Sequence, residues 1–229
     1  MVRATGPRLT FVSTAAAVAA TVATRRVRGV FASVATHRDY WQERAQADGD
    51  LLYVALGDST AQAVGARQPQ DGYVGRLAAD LERSSGRTVR VVNLSVSGAR
   101  AADAVQEQLP RLRELLADGA EPALVTVSIG ANDTGRTRVE DFEASMRQIV
   151  DALPAGARVA DVPYFRGPRN ADALAFSDVI RRLVAARGDL VQADLWVRTG
   201  GMRPHEYAAD LFHPNARGYD RYYRAFTGR

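Results

Sequence analysis

Apolar residues along this chain come in short runs and helical stripes that alternate from about residue 51 onward. Leu51–Leu56 is a short apolar run closed by Gly57, the pattern of a buried strand. Tyr73–Ser84 has the spacing of an amphipathic helix and stops at Gly86, and Val89–Leu94 is again strand-like. Ala101–Ala117 places Val105, Leu109, Leu112 and Leu116 on one helical face, with Pro110 predicting a kink or break inside it. The alternation continues with a strand at Ala123–Ile129, a helix at Val139–Leu153 and a strand at Arg158–Val162 stopped by Pro163. It closes with a helix at Ala171–Ala186, a short strand at Leu190–Ala193 and a helix at Ala216–Phe226.

Strands that alternate with helices connect by right-handed crossovers into a parallel sheet covered on both faces. Five such strands predict an α/β fold, a three-layer α/β/α sandwich with a flavodoxin-like five-stranded parallel sheet. No glycine-rich dinucleotide fingerprint and no Walker A sequence follows any strand.

The first 50 residues have a different character. Residues 9–24 are uncharged and rich in Ala, Val and Thr, with Arg3 and Arg8 before them and Arg25, Arg26 and Arg28 behind. A positive region ahead of an apolar stretch resembles a secretory signal or uncleaved anchor. Sixteen residues of such composition are short for a membrane span, and the arginines behind them oppose simple export. Residues 1–29 are therefore expected to form a basic, Ala-rich signal, anchor or tail, giving an extracytoplasmic or membrane-associated protein; a cytoplasmic protein with a loose tail is the alternative. Residues 30–50 are expected to form a lead-in helix with Val30, Phe31, Val34, Tyr40 and Trp41 roughly on one side, and His37 beside Arg38 on its surface. Residues 51–229 form the main domain.

The net charge of +4 is accounted for by this start. Residues 1–30 hold five arginines and no acid, and the remaining 25 basic residues face 26 acids. A near-neutral body with a basic start points to contact with a membrane surface through residues 1–30, not to a nucleic-acid-binding face. The chain has no cysteine and three histidines, which argues against thiolate and His-rich metal centres.

Four segments carry more polar residues than turns require: Gly57-Asp58-Ser59-Thr60, Ser95-Val96-Ser97-Gly98-Ala99, Gly130-Ala131-Asn132-Asp133 and Asp210-Leu211-Phe212-His213-Pro214-Asn215. The first three follow strands one, two and three, and such loops emerge at one edge of a parallel sheet. Acyl transfer requires a nucleophile, a base, an acid that orients the base, and donors for the oxyanion. Ser59 supplies a hydroxyl, His213 an imidazole, and Asp210 a carboxylate three residues ahead of it. Gly98 offers an unshielded backbone N–H and Asn132 a side-chain amide. Each alone has an ordinary reading: turn serine, turn glycine, helix cap, loop histidine. His205 competes for the base role but has Met202 three residues before it.

These four blocks together resemble the SGNH hydrolase superfamily of GDSL-type lipases and esterases. The resemblance spans about residues 51–226 and implies a serine esterase with no cofactor and no metal. It implies Ser59 as nucleophile, His213 as base and Asp210 as its orienting acid. The implied oxyanion hole is the N–H of Ser59, the N–H of Gly98 and the side chain of Asn132. Thr60 departs from the family's name-giving leucine, which places subfamily and substrate in question. Ala61 stands where an α/β-hydrolase elbow has its last glycine. An acyltransferase or a silent binding domain on the same fold are the alternatives, and a phosphoesterase is a weaker one. The partner expected is a small-molecule ester, its acyl group short or its alcohol a sugar, and the protein is expected to be a monomer. Substrate walls are expected at Gln62–Gly72, Thr134–Arg138, Tyr164–Asn170 and Val197–Ala209. Arg67, Arg136, Arg138, Arg166, Arg169, Arg198 and Arg203 in these loops are compatible with an anionic or polyhydroxylated substrate, or with plain solvated surface.

Overall fold

Successive residues of the first strand, β1 (Leu51–Gly57), point to opposite faces and both sets are buried. Val54 and Leu56 join one apolar layer, and Tyr53 and Ala55 join the other. A strand buried on both faces belongs in the middle of a sheet. The computed structural model describes the backbone of residues 11–229 and the side chains of residues 24–229 other than Arg26. Arg3 and Arg8, on which the signal or anchor reading leans, lie outside the described residues.

β1 pairs in parallel with β2 (Val89–Asn93) on one side and β3 (Leu124–Ser128) on the other. β4 (Arg158–Ala160) and β5 (Val191–Ala193) extend the sheet in the order β2-β1-β3-β4-β5. This is the flavodoxin-like order, whose crevice opens at the carboxyl ends of β1 and β3. The fold is the five-stranded parallel α/β/α sandwich expected from the alternation, with β4 and β5 shorter than their apolar runs.

Helices α1 (Phe11–Gln46), α2 (Tyr73–Ser85) and α8 (Ala216–Thr227) cover the Tyr53 face. Tyr73 stacks on Phe226 with ring centroids 4.8 Å apart. On the Leu56 face lie α3 (Ala101–Asp103), α4 (Leu109–Ala117), α5 (Val139–Ala152) and α6 (Arg169–Arg187). Phe142 of α5 stacks on Phe176 of α6 at 4.2 Å, sealing that layer. A short helix α7 (Leu195–Thr199) sits where only a loop is expected.

The break anticipated from Pro110 takes a specific form. Between α3 and α4, residues Ala104–Gln108 wind as a π-helix, and the Leu109 N–H reaches back to Ala104 O. A wide turn of this kind accommodates a proline that has no N–H and whose ring crowds the preceding turn. It also brings Gln108 into the interior.

The lead-in helix differs from its expected form. α1 is continuous across the boundary drawn at residues 29 and 30, and its C-terminal half lies along β2. His37 is buried and not a surface residue, whereas Phe31 is exposed. The reason is a shared acceptor: His37 Nδ1 and Trp41 Nε1, one helical turn apart, donate to Gln62 O at 3.1 and 3.2 Å. Burial pushes the His37 pKa below its ordinary value, so the imidazole is held neutral. Among the described residues no helix is long and apolar enough to cross a membrane.

Candidate active site

Gly57 ends β1 with φ +153°, and a Cβ there would lie 2.4 Å from Ser128 O on the neighbouring strand. Only glycine allows β1 and β3 to stay paired while the chain turns away. The turn that follows is closed by backbone bonds from Ala61 N to Asp58 O and from Val64 N to Ser59 O. Asp58, buried beside Ser59, braces it: Oδ1 accepts the Thr60 N–H and the Thr60 hydroxyl, both at 2.8 Å. Thr60 is thus a hydrogen-bonding partner in the turn as well as a packing residue. Burial pushes the Asp58 carboxyl pKa up, against the two bonds from Thr60 that favour its charged form.

Ser59, Asp210 and His213 come together from opposite ends of the domain. Ser59 Oγ lies 2.9 Å from His213 Nε2, and His213 Nδ1 lies 2.6 Å from Asp210 Oδ2. Asp210 Oδ1 accepts the backbone N–H groups of Phe212 and His213 at 3.1 and 3.0 Å. Leu211, between them, adopts φ +55°, which a non-glycine residue occupies at a cost in a tight functional turn. Burial raises the Asp210 pKa, but the bonds from the imidazole and the two backbone N–H groups outweigh it, and the carboxyl sits below its ordinary value. His205 is exposed on a separate 3-10 turn, Pro204–Glu206, and does not reach this cluster.

The other two predicted blocks bracket Ser59. Gly98 has φ +86° with open space where a Cβ would stand. Neither its N–H nor that of Ser59 has an acceptor among the described residues. Asn132 Nδ2 donates to Ala99 O at 3.0 Å and faces Asp58 Oδ2 at 3.5 Å, so the amide is held between the second and first loops. Its neighbour Asp133 is engaged elsewhere: Oδ2 accepts the Ala101 N–H at the start of α3, and Oδ1 the Thr137 hydroxyl. Asp133 is the N-cap of neither α3 nor α5, whose N-caps are Arg100 and Arg138, and the Asn132 amide faces the Ser59 turn.

Two positioning residues carry no motif. Gln108, from the π-turn, donates through Nε2 to Gly57 O at 2.8 Å and accepts the Gly57 N–H on Oε1 at 2.9 Å. Gln62 donates to Ser95 O at 2.7 Å and accepts the Ser97 hydroxyl at 2.6 Å, tying the Ser59 turn to the Gly98 loop. The only sequence signal for Gln108 is a polar residue one turn from Ala104 and Leu112 on a buried face.

Ser59 opens onto a cavity of about 370 Å³. Its walls come from two of the four expected loops, through Tyr164, Phe165, Arg166 and Arg169, then Thr199, Met202, Pro204 and Tyr207. Gln62–Gly72 and Thr134–Arg138 do not line it. Gln62, Pro69 and Gly72 are instead engaged with the lead-in helix and the start of α2.

A hydroxyl, an imidazole and a carboxylate thus stand in sequence at the carboxyl edge of a doubly wound sheet in an α/β/α fold. The chain matches the GDSL-like Lipase/Acylhydrolase family over residues 55–221 and belongs to it, and it is a carboxylic ester hydrolase. No curated protein matches the chain in sequence. Among solved structures it is similar to TesA, at 27% identity, covering 77% of this chain and 96% of that one with a TM-score of 0.61. An acetyl xylan esterase from Geobacillus stearothermophilus shares the fold at 20% identity, 78% and 94% coverage and a TM-score of 0.60. The psychrotrophic esterase EstA from Pseudoalteromonas sp., in a structure inhibited by monoethylphosphonate, does so at 24% identity, 78% and 98% coverage and a TM-score of 0.57.

Proposed function

We propose that the chain hydrolyses carboxylic esters of small molecules through an acyl-enzyme on Ser59. The observation that carries this reading is the relay Ser59 Oγ, His213 Nε2, His213 Nδ1, Asp210 Oδ2, with steps of 2.9 and 2.6 Å. In it, Ser59 Oγ attacks the ester carbonyl as Nε2 takes its proton. Asp210 fixes the tautomer that leaves Nε2 free to accept, and stabilises the imidazolium once formed. The oxyanion is received by the N–H of Ser59, the N–H of Gly98 and the Asn132 amide, which bracket the serine from three loops. His213 then protonates the leaving alcohol, and water attacks the acyl-enzyme with His213 again as base.

The small cavity supports a short acyl group or a compact alcohol on either side of the scissile bond. Ser59→Ala is the direct test. It is expected to abolish turnover of a short 4-nitrophenyl ester and labelling by a fluorophosphonate, while the folded protein keeps its circular dichroism; retained turnover overturns the reading.

A further inference from the structure

The seven loop arginines compatible with an anionic substrate separate once the cavity is known: only Arg166 and Arg169 line it. Arginines elsewhere on the body are commonly paired, as in Arg76 with Asp220, Arg182 with Glu143 and Arg221 with Glu206. Arg138, from one of the loops that stays outside the cavity, pairs with Glu140 at 3.4 Å. Neither Arg166 nor Arg169 has a carboxylate within 4.0 Å among the described residues.

Both guanidinium groups are nonetheless held in place. Arg166 Nη2 donates to Met202 O at 2.8 Å. Arg169 lies over the rings of Phe165 and Phe212, 5.3 and 5.7 Å from their centroids, with Nη2 at 3.4 Å from Thr134 O. Ring stacking positions a guanidinium by its face and leaves its N–H edge free, the edge that binds a carboxylate or phosphate in bidentate fashion. Each arginine has five N–H donors, and the protein occupies one of them. Among the described residues the only carboxylate lining the cavity is Asp58, whose Oδ1 is taken by Thr60. The remaining lining is mostly aromatic and aliphatic; Arg169 is half-buried and Arg166 is exposed. Phe212, which carries Arg169 on one side, also packs edge-on against the His213 imidazole, 5.0 Å between centroids. The arginine is therefore one ring removed from the reacting centre.

We propose that this cavity selects esters that carry an anionic group, carboxylate or phosphate, near the scissile bond, and that Arg166 and Arg169 bind that group. This rests on the Ser59 esterase reading and adds the substrate class to it.

Two matched pairs of probes test it. The first is the 4-nitrophenyl ester of succinate with its carboxylate free or capped as the methyl ester, which puts the charge on the acyl side. The second is acetylglycerol with and without a 3-phosphate, which puts it on the alcohol side. In at least one pair the anionic ester is expected to have a kcat/KM at least about tenfold above its neutral partner, carried by KM. That ratio is expected to collapse toward one in the Arg166→Gln/Arg169→Gln double variant, and to shrink between about 0.05 and 0.5 M salt. The pair that shows it identifies the side bearing the charge. A wild-type ratio near one in both pairs overturns the proposal, as does a ratio that the double variant leaves unchanged. A bracing role for Arg169 alone would lower both members of a pair equally. Calorimetric binding of N-phenylsuccinamate against its methyl ester separates this proposal from the esterase reading. The amide needs no turnover, so loss of its binding in the double variant supports the anion site even if no ester is cleaved, and equal binding to both proteins overturns it.

Discussion

The Gln108 carboxamide and the Gly57 peptide face each other in a closed pair, with Nε2 donating to Gly57 O at 2.8 Å and Gly57 N donating to Oε1 at 2.9 Å. The π-turn in the helix after β2 thereby holds the last residue of β1, two positions ahead of Ser59. Gly57 O has a second donor in Val96 N at 3.2 Å, whereas its N–H goes, among the described residues, to Gln108.

Gln108→Leu should therefore strand a buried N–H, at a stability cost of about 1–3 kcal/mol. Because Gly57 leads directly into the Ser59 turn, kcat should fall further than the stability loss alone explains. Gln108→Glu keeps the acceptor for Gly57 N and should recover part of that rate. Urea unfolding together with kcat and KM for a short ester checks this; a Gln108→Leu variant with unchanged kcat refutes the positioning role.

Asn132 gives one N–H to Ala99 O at 3.0 Å, and its second N–H has only the long 3.5 Å contact to Asp58 Oδ2, which an oxyanion can replace. If it serves the oxyanion, Asn132→Ala should lower kcat by about 10²- to 10³-fold with KM nearly unchanged. A loss confined to KM would place Asn132 in ground-state binding instead.

Why these residues were readable and others were not follows from how each is held. Ser59, Gly98 and Asn132 sit in loops after strands and the Asp210–His213 pair in the loop before α8, where a polar residue without a turn to explain it stands out. The parallel alternation already brings three of those loops to one edge. Gln108 and His37 lie on helices, where a polar side chain reads as solvent-facing unless its partner is known. Their partners, Gly57 and Gln62, are 51 and 25 residues away. The inward turn of Gln108 further depends on the π-helix, which the 3.6-residue period does not anticipate. Short β4 has a related cause: beyond Ala160 its apolar run leads through Val162 to Pro163 and Tyr164 of the cavity wall, where no neighbouring strand pairs with it.

Asp210 offers two separable measurements. Asp210→Asn should cut kcat by about 10³- to 10⁴-fold near neutral pH, because the amide no longer imposes the tautomer that leaves Nε2 free. Its effect on stability should depend on pH. The carboxyl sits below its ordinary value of 3.8 in the folded protein, so its contribution is complete above that value and is lost as pH falls through the folded pKa. The unfolding free-energy difference between wild type and Asp210→Asn should shrink on going below about pH 4. A pH-independent difference would mean that the carboxylate is not held by the three bonds it accepts.

His37 gives the opposite kind of group and a test of how α1 is attached. It is buried, donates from Nδ1 to Gln62 O, and shares that acceptor with Trp41. Burial lowers its pKa from 6.5, so the folded protein resists protonation that the unfolded chain accepts. Stability from the neutral imidazole is complete above pH 6.5 and declines as pH falls from there through the folded value. Gln62 also holds Ser95 O and the Ser97 hydroxyl in the loop that carries Gly98. Loosening the helix should therefore be felt at the site before the domain unfolds. His37→Gln retains a donor and cannot titrate, so its urea midpoint should fall less than that of wild type between about pH 7 and 5. Activity in the same interval, measured with a neutral ester, should show the same divergence between the two proteins. Parallel midpoints and parallel activity profiles for the two proteins would separate α1 from the Gly98 loop and leave His37 as a packing residue alone.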